Sequence, residues 1–483
     1  MRATNDKKNI ATSRGSKFLK DIGIYAIGNI GSKLITFMMV PMYTYFVHDT
    51  SDFGYYDVCL QICLLLIPFF TLQLRDGAFR FLLDCDNEVQ RKRIVSFVAR
   101  TLASSLTLSI VIALLIAVLY PVQYLGYIVG LLIAMSLQEV YSQVFRGLGN
   151  NRAFVAVGIL SALGIGVFSI IFVAGLGWGI RGIFLANILA RILALVIVES
   201  KVKLIRRHTR WNINTGKAAR SIIRYTLPLM PGSLCWWLTG SSDRLFISHY
   251  LGFDVNGVYA VAVRFTSIIY TLAIIFYQAW QETAILQYNS PDRNRFFSRM
   301  LNSYIFLLAF IFIGYVFALK VNYGWLVALE YRESLNFIYP LGVSAVVFAV
   351  AAFFDMGYQC ALDTKRTLPA IVLAAIVNVT LNFLLINPLG VHGVIATQLI
   401  SYLVLVTYRW RDMKRYFILK IEPRTAIPVA AMLLSAIPFY YSDSVAVDIV
   451  FAIAVIAMLA WLYRTELLDL WQSKITKTCS RIK

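Results

Sequence analysis

Fourteen long apolar runs decide what this chain can fold into. They lie at approximately residues 21–46, 53–74, 94–118, 124–145, 154–176, 180–198, 225–250, 256–281, 300–319, 335–358, 368–387, 391–408, 425–441 and 446–463. About 20 apolar residues in a helix cross a bilayer. Only 14% of the chain is charged, where soluble domains carry about a quarter, so most of its surface must face lipid. There, only helices and closed barrels satisfy every backbone group. The runs are continuous and lack the ten-residue alternation of barrel strands, so helices are expected. The first run is too long for a signal-peptide core and no small-residue cleavage site follows it, so it reads as a retained helix.

Lys and Arg set the orientation. Segments 1–20, 75–93, 146–152, 199–224, 282–299, 359–367, 409–424 and 464–483 hold 37 of the 45 basic residues. The alternate loops hold only Lys320 and Arg332. The other six fall within runs: Lys33, Arg100, Arg181, Arg191, Arg244 and Arg264. This asymmetry predicts an even number of crossings, with the N and C termini cytoplasmic. It also accounts for the net charge of +20 without nucleic acid, which would need a soluble basic module.

The chain repeats itself. Phe46–Val58 reads FVHDTSDFGYYDV and Phe246–Val261 reads FISHYLGFDVNGVYAV, aligning Gly54 and Tyr56 with Gly257 and Tyr259 at an offset of 203. Arg152 in RGLGNNRAF aligns with Arg366 in CALDTKRTL, an offset of 214, and Gly182 with Gly393, an offset of 211. A six-helix unit used twice in one orientation predicts a pseudo-twofold axis along the membrane normal. The expected fold is an all-α integral membrane protein of about 14 transmembrane helices: two parallel six-helix bundles around a central cavity, plus two C-terminal helices. The expected parts are an N-terminal bundle at 1–198, a cytoplasmic linker at 199–224, a C-terminal bundle at 225–408, and helices thirteen and fourteen with a cytoplasmic tail at 409–483.

Ionisable residues inside a membrane are costly and mark function by default. In the eighth run Arg264, Ser267, Thr271, Gln278 and Glu282 fall within a wedge of about 60° on a helical wheel. Such a stripe lines a cavity or forms a helix–helix hydrogen-bond seam. Asp243 and Arg244 are adjacent in the seventh run, so they point apart and need partners on other helices. Lys33 and Arg191 lie near mid-helix. These residues, Lys33, Arg191, Asp243, Arg244, Arg264, Thr271 and Gln278, are the candidate cavity set. At cytoplasmic ends, Arg75, Arg80, Glu139, Arg146, Glu282 and Asp355 are the candidate entrance or gate. Asp76 and Arg80 have the spacing of a helical ion pair, and Arg100 the position of a snorkelling side chain. Cys59, Cys63, Cys85, Cys235, Cys360 and Cys479 show no paired spacing for metal or disulfides. No nucleotide-binding loop or catalytic motif is present, so neither a cofactor nor an enzymatic activity is expected. Cations outnumber acids in the candidate cavity, which suits an anionic substrate such as a phosphate or pyrophosphate.

Several stretches resemble a known family. TGSSDRLFISHYLGFDVNGVYAVAVRF, the opening IYAIGNIGSKLITFMMVPMYTYFV, DGAFRFLLD and FRGLGNNRAF are similar to the matching regions of bacterial polysaccharide-biosynthesis exporters, the Wzx-type flippases. The resemblance spans roughly residues 18–410. It implies the multidrug/oligosaccharidyl-lipid/polysaccharide exporter fold, and flipping of an undecaprenyl-pyrophosphate-linked oligosaccharide, such as an O-antigen precursor, across the inner membrane. Lys33, Arg244 and Arg264 are the positions it carries over. The expected partners are the lipid-linked oligosaccharide, membrane lipids, a polysaccharide polymerase and a chain-length regulator. The alternative is a cation-coupled multidrug or metabolite antiporter of the same superfamily.

Overall fold

The computed structural model describes residue 35 and residues 37–85, 87–442 and 444–464, apart from the side chains of Gln278, Ala279, Glu282, Leu286 and Thr364. Lys33 and Cys479 lie outside the described residues. No strand occurs among them. The helices are α1 (37–46), α2 (Thr50–Phe70), α3 (Leu74–Leu83), α4 (Glu88–Leu119), α5 (Leu125–Gly147), α6 (Asn151–Ser169, continued by a π-helical turn Ile170–Gly175), α7 (Gly179–Val202), α8 (Leu204–His208), α9 (Gly216–Thr226), α10 (Met230–Ser241), α11 (Asp243–Tyr250), α12 (Phe253–Gln287), α13 (Arg293–Leu326), α14 (Leu335–Cys360), α15 (Thr367–Met413), α16 (Ala426–Leu434), α17 (Ala436–Tyr441) and α18 (Val445–Leu462). Ten of the described helices are long and apolar enough to cross a membrane.

Local chemistry sets several boundaries. Asp49, Asn87 and Asn150 accept from the first-turn N–H groups of Ser51, Val89 and Ala153 and so start α2, α4 and α6. The eleventh and twelfth runs, expected as separate helices, follow each other within α15. They are divided at Gly390, whose φ of 56° and ψ of −136° suit only glycine, two residues after Pro388. The seventh run is divided into α10 and α11 at Ser242.

The chain packs as two compact units, Met1–Ala260 and Val261–Lys483. In the first, α3, α4, α5 and α9 enclose Leu82, Val95, Val98, Val140, Val144 and Ile222, and α6 lies along α7. Within this unit α2 crosses the start of α12 at Gly54 and Gly257. A Cβ on Gly54 would sit 1.8 Å from the Phe253 carbonyl oxygen, and one on Gly257 2.0 Å from that of Thr50. Asn256 closes the crossing by donating to the Gly54 carbonyl at 2.9 Å.

In the second unit the core is aromatic. Trp280 stacks on Phe353 at 5.3 Å and Phe276 on Tyr304 at 3.8 Å. Helix α18 packs on α13. Lys320 reads from sequence as an outer-loop residue; it lies within α13, nearly buried, and pairs with Asp448 of α18 at 2.9 Å. Large apolar side chains cover the outside of both units, for example Leu114, Val118 and Leu119 of α4 and Ile453 of α18. That surface is suited to lipid.

Each unit contains a strap that folds back along a helix. In the first, the Arg210 N–H donates to Ser96 Oγ at 2.7 Å, and the Arg100 guanidinium donates to the carbonyls of Arg210 and Ile213 at 3.2 and 2.6 Å. Arg100 therefore holds the strap and does not snorkel. In the second, the N–H groups of Ile418, Lys420 and Glu422 donate to Asn294 Oδ1, Ser298 Oγ and Asn302 Oδ1 at 3.1, 2.9 and 3.1 Å. The spacing works because four helical residues rise about 6.0 Å and two extended ones about 6.6 Å. Ser96 and Ser298 are 202 residues apart and their strap donors 210 apart, so the device recurs with the sequence repeat.

Candidate functional site

The candidate residues divide between the two units. In the first, Asp243 and Arg244 begin α11 and are both buried. As their adjacency requires, they turn to different partners. The Tyr259 hydroxyl donates to Asp243 Oδ2 at 2.6 Å, and Arg244 Nε lies 3.3 Å from Asp57 Oδ2 on α2. Arg244 also donates to the Gly240 carbonyl at 3.1 Å, and its guanidinium lies 6.0 Å from the centre of the Tyr259 ring. Asp57 is the residue that sequence reasoning missed here. Its signal was present: an acid within an apolar run, inside the repeated FGYYDV segment.

Arg191 on α7 has a different environment. It donates to Gln138 Oε1 on α5 at 2.6 Å, and Gln138 in turn donates to Ser161 Oγ on α6 at 2.9 Å. The Arg191 Nε has no hydrogen-bond partner and no carboxylate lies within ion-pair distance among the described residues. A half-buried cation served only by a neutral amide retains capacity for an anion. With Asp57 counted, the candidate cations Lys33, Arg191, Arg244 and Arg264 still outnumber the acids Asp57 and Asp243.

The expected entrance residues of this unit are brought together only in part. Arg75 on α3 pairs with Glu139 on α5, and Gln73 donates to Asp76 at 2.7 Å. Burial opposes the Arg75 charge, but Glu139 and Asp76 outweigh it and hold the guanidinium above its ordinary value. Arg80 does not pair with Asp76: it pairs with Asp84 at 2.9 Å, one turn further along, with both side chains exposed. The Arg146 guanidinium lies 4.4 Å from the ring centre of Phe79 and 5.7 Å from that of Phe154.

In the second unit, α12 turns Arg264, Ser267 and Thr271 to a half-buried face, while Phe265, Ile269 and Ala273 are buried. The hydroxyls of Ser267 and Thr271 donate to the carbonyls of Arg264 and Ser267 at 2.6 and 2.8 Å, within their own helix. Gln278 and Glu282 continue the stripe along α12, with side chains outside the described set. Asp355 on α14 meets Arg409 on α15: Nη2 lies 3.0 Å from Oδ1, and Nη1 donates to the Ala351 carbonyl at 2.8 Å. Tyr277 donates to Asp355 at 3.3 Å, and Gln359 and Gln281 extend the network. Sequence reasoning assigned Arg409 to a cytoplasmic loop, but it is 1% exposed. Helix α15 continues past the expected end at residue 408 to Met413 and so carries Arg409 into the packed interior.

No three His, Cys, Asp or Glu side chains among the described residues converge on a metal position. The five described cysteines are free.

A family model described as polysaccharide biosynthesis protein matches residues 18–281. No curated protein matches the chain in sequence. Among solved structures, an inward-facing multidrug resistance MATE family transporter of the MOP superfamily superposes with a TM-score of 0.64 at 12% identity, covering 81% of this chain and 98% of its own. The lipid II flippase MurJ, inward closed, gives 0.59 at 14% identity and covers 95% of this chain and 100% of its own. The Vibrio cholerae MATE transporter VcmN in its bent form gives 0.51 at 15% identity, covering 83% and 99%. The fold is that of these membrane transporters.

Proposed function

The chain belongs to the polysaccharide biosynthesis protein family, and from that premise we propose that it is a flippase for an undecaprenyl-pyrophosphate-linked oligosaccharide. It moves this lipid across the bacterial inner membrane by alternating access, with both termini in the cytoplasm, to supply surface polysaccharide such as O-antigen. The observation that carries the reading is the excess of buried and half-buried cations, above all Arg191 with its neutral partner. A pyrophosphate passing through low-dielectric surroundings needs such groups, and a cationic drug is repelled by them.

In this reading Lys33, Arg191, Arg244 and Arg264 receive the pyrophosphate, while Thr271 and Gln278 offer polar groups to the sugar. Arg75–Glu139 and Asp355–Arg409 act at the cytoplasmic entrance, with Arg80, Arg146 and Glu282 nearby in sequence. Energy comes from an ion gradient, the substrate gradient or the membrane potential, which supplies about 2.3 kcal/mol per charge per 100 mV. A polymerase and a chain-length regulator act on the delivered product. The extent of the fold supports a lipid substrate, since the likeness to a lipid II flippase takes in 95% of this chain.

The similarity to multidrug transporters favours a second reading, a cation-coupled antiporter. A deletion strain separates the two. The flippase reading predicts loss of surface glycan and accumulation of the pyrophosphate-linked intermediate. Normal surface glycan with new drug sensitivity favours the antiporter.

A further inference from the structure

A second basic site lies within the second unit. A cavity of about 790 Å³ opens between the first turns of α13, the strap over residues 418–422 and the end of α18. Among the described residues that line it, Arg295, Arg299 and Lys420 are the cations and Glu422 the carboxylate, and the buried Tyr463 joins them. Among the described lining residues the cations outnumber the acids, which suits an anion.

The cavity is built by the fold. Ser298 and Asn302, which also line it, are buried and fix the strap by accepting from the Lys420 and Glu422 N–H groups. Tyr463 donates to the Arg424 carbonyl at 3.1 Å, fastening α18 to the same strap. The walls are therefore held at three points.

Its surroundings identify the source of the anion. Around it, Ile418, Ile421 and Trp461 are 59%, 53% and 65% exposed. Exposed apolar side chains and a tryptophan beside cations at the ends of spanning helices mark the headgroup level of a bilayer. Basic pockets at that level recognise phosphate headgroups. We propose that this cavity binds the phosphate headgroup of an anionic phospholipid, with Arg295, Arg299 and Lys420 as its cations and Ile418, Ile421 and Trp461 against the acyl region. Bound there, the lipid ties α13, the strap and α18 together.

The test is native mass spectrometry of the purified full chain with phosphatidylglycerol, phosphatidylcholine or inorganic phosphate at equal concentration. The expected result is retention of phosphatidylglycerol alone, with affinity reduced roughly a hundredfold in the Arg295→Gln/Arg299→Gln/Lys420→Gln variant, about fivefold per cation. In the wild type, raised ionic strength should weaken retention, a readout that stands if the variant fails to fold. Equal retention of phosphatidylcholine, an unaffected variant, or salt-independent binding overturns the proposal. Displacement of the lipid by inorganic phosphate identifies a soluble-phosphate site and also overturns it.

Discussion

Gly54 and Gly257 hold equivalent places in the two copies of the repeat, and each admits the backbone beside the other because neither has a Cβ. Two equivalent residues in mutual contact create a local twofold relation between α2 and the first turns of α12. Alanine there has two opposing effects. It improves helix propensity by about 1 kcal/mol, but it places a methyl group against a backbone carbonyl that cannot turn aside, an overpacking cost of about 1–3 kcal/mol or more. Gly54→Ala and Gly257→Ala should therefore lower the thermal unfolding temperature in detergent. Gly158→Ala, whose Cβ would meet nothing within 4 Å, should leave it unchanged or raise it. Equal behaviour of the three would remove the close-packing account.

The Arg409–Asp355 pair tests whether buried charge is structural. Removing one partner of such a pair costs about 3–5 kcal/mol, whereas replacing both with apolar residues is often nearly neutral. Asp355→Leu and Arg409→Met should each lower stability, and the double variant should recover most of the loss. A double variant as unstable as the sum of the singles would show that the two residues act independently.

Asn302 serves the strap in three ways: it donates to the Lys420 carbonyl and accepts from the Glu422 N–H and the Thr425 hydroxyl. Truncation strands buried backbone groups at about 1–3 kcal/mol. Limited proteolysis of Asn302→Ala should cut within residues 414–425 faster than in the wild type. An unchanged cleavage rate would mean that the strap is held elsewhere.

Asp363, in the turn between α14 and α15, is held below its ordinary value of 3.8 by the Tyr416 hydroxyl and then by Arg366. A depressed carboxylate contributes stability that is complete above its unfolded value and lost as pH falls through its folded one. The difference in unfolding temperature between wild type and Asp363→Asn should thus be constant from about pH 5 to 8 and shrink only below the ordinary carboxylate value. A difference that changes near neutrality would assign the effect to another group.

Much of this was legible in the sequence because membrane helices announce themselves by length and apolarity. The sequence aligns Gly54 with Gly257 as equivalent positions, but their close approach is visible only in the structure. The opposing partners of Asp243 and Arg244 followed from helix geometry alone. What escaped were long-range pairings. Arg409 resembles a topology-setting charge until α14 is packed against α15, and Lys320 resembles a loop residue until α18 supplies Asp448. The pairing of Asp57 is not legible in the sequence because its partner lies 187 residues away. Arg80 had two acids at helical spacing, Asp76 and Asp84, and local periodicity could not choose between them; Arg75 and Gln73 engage Asp76, which leaves Asp84 to Arg80.

The most direct measurement of the central claim is transport itself. Vesicles containing the purified protein and an undecaprenyl-pyrophosphate-linked oligosaccharide are assayed for transfer of the glycan to the opposite leaflet, read by its accessibility to a membrane-impermeant glycosidase. The account predicts rapid transfer by the wild type and at least a tenfold slower rate for Arg191→Gln and Arg264→Ala, with each variant reconstituted to the same density. Transfer no faster than in protein-free vesicles, or full activity of both variants, would contradict it.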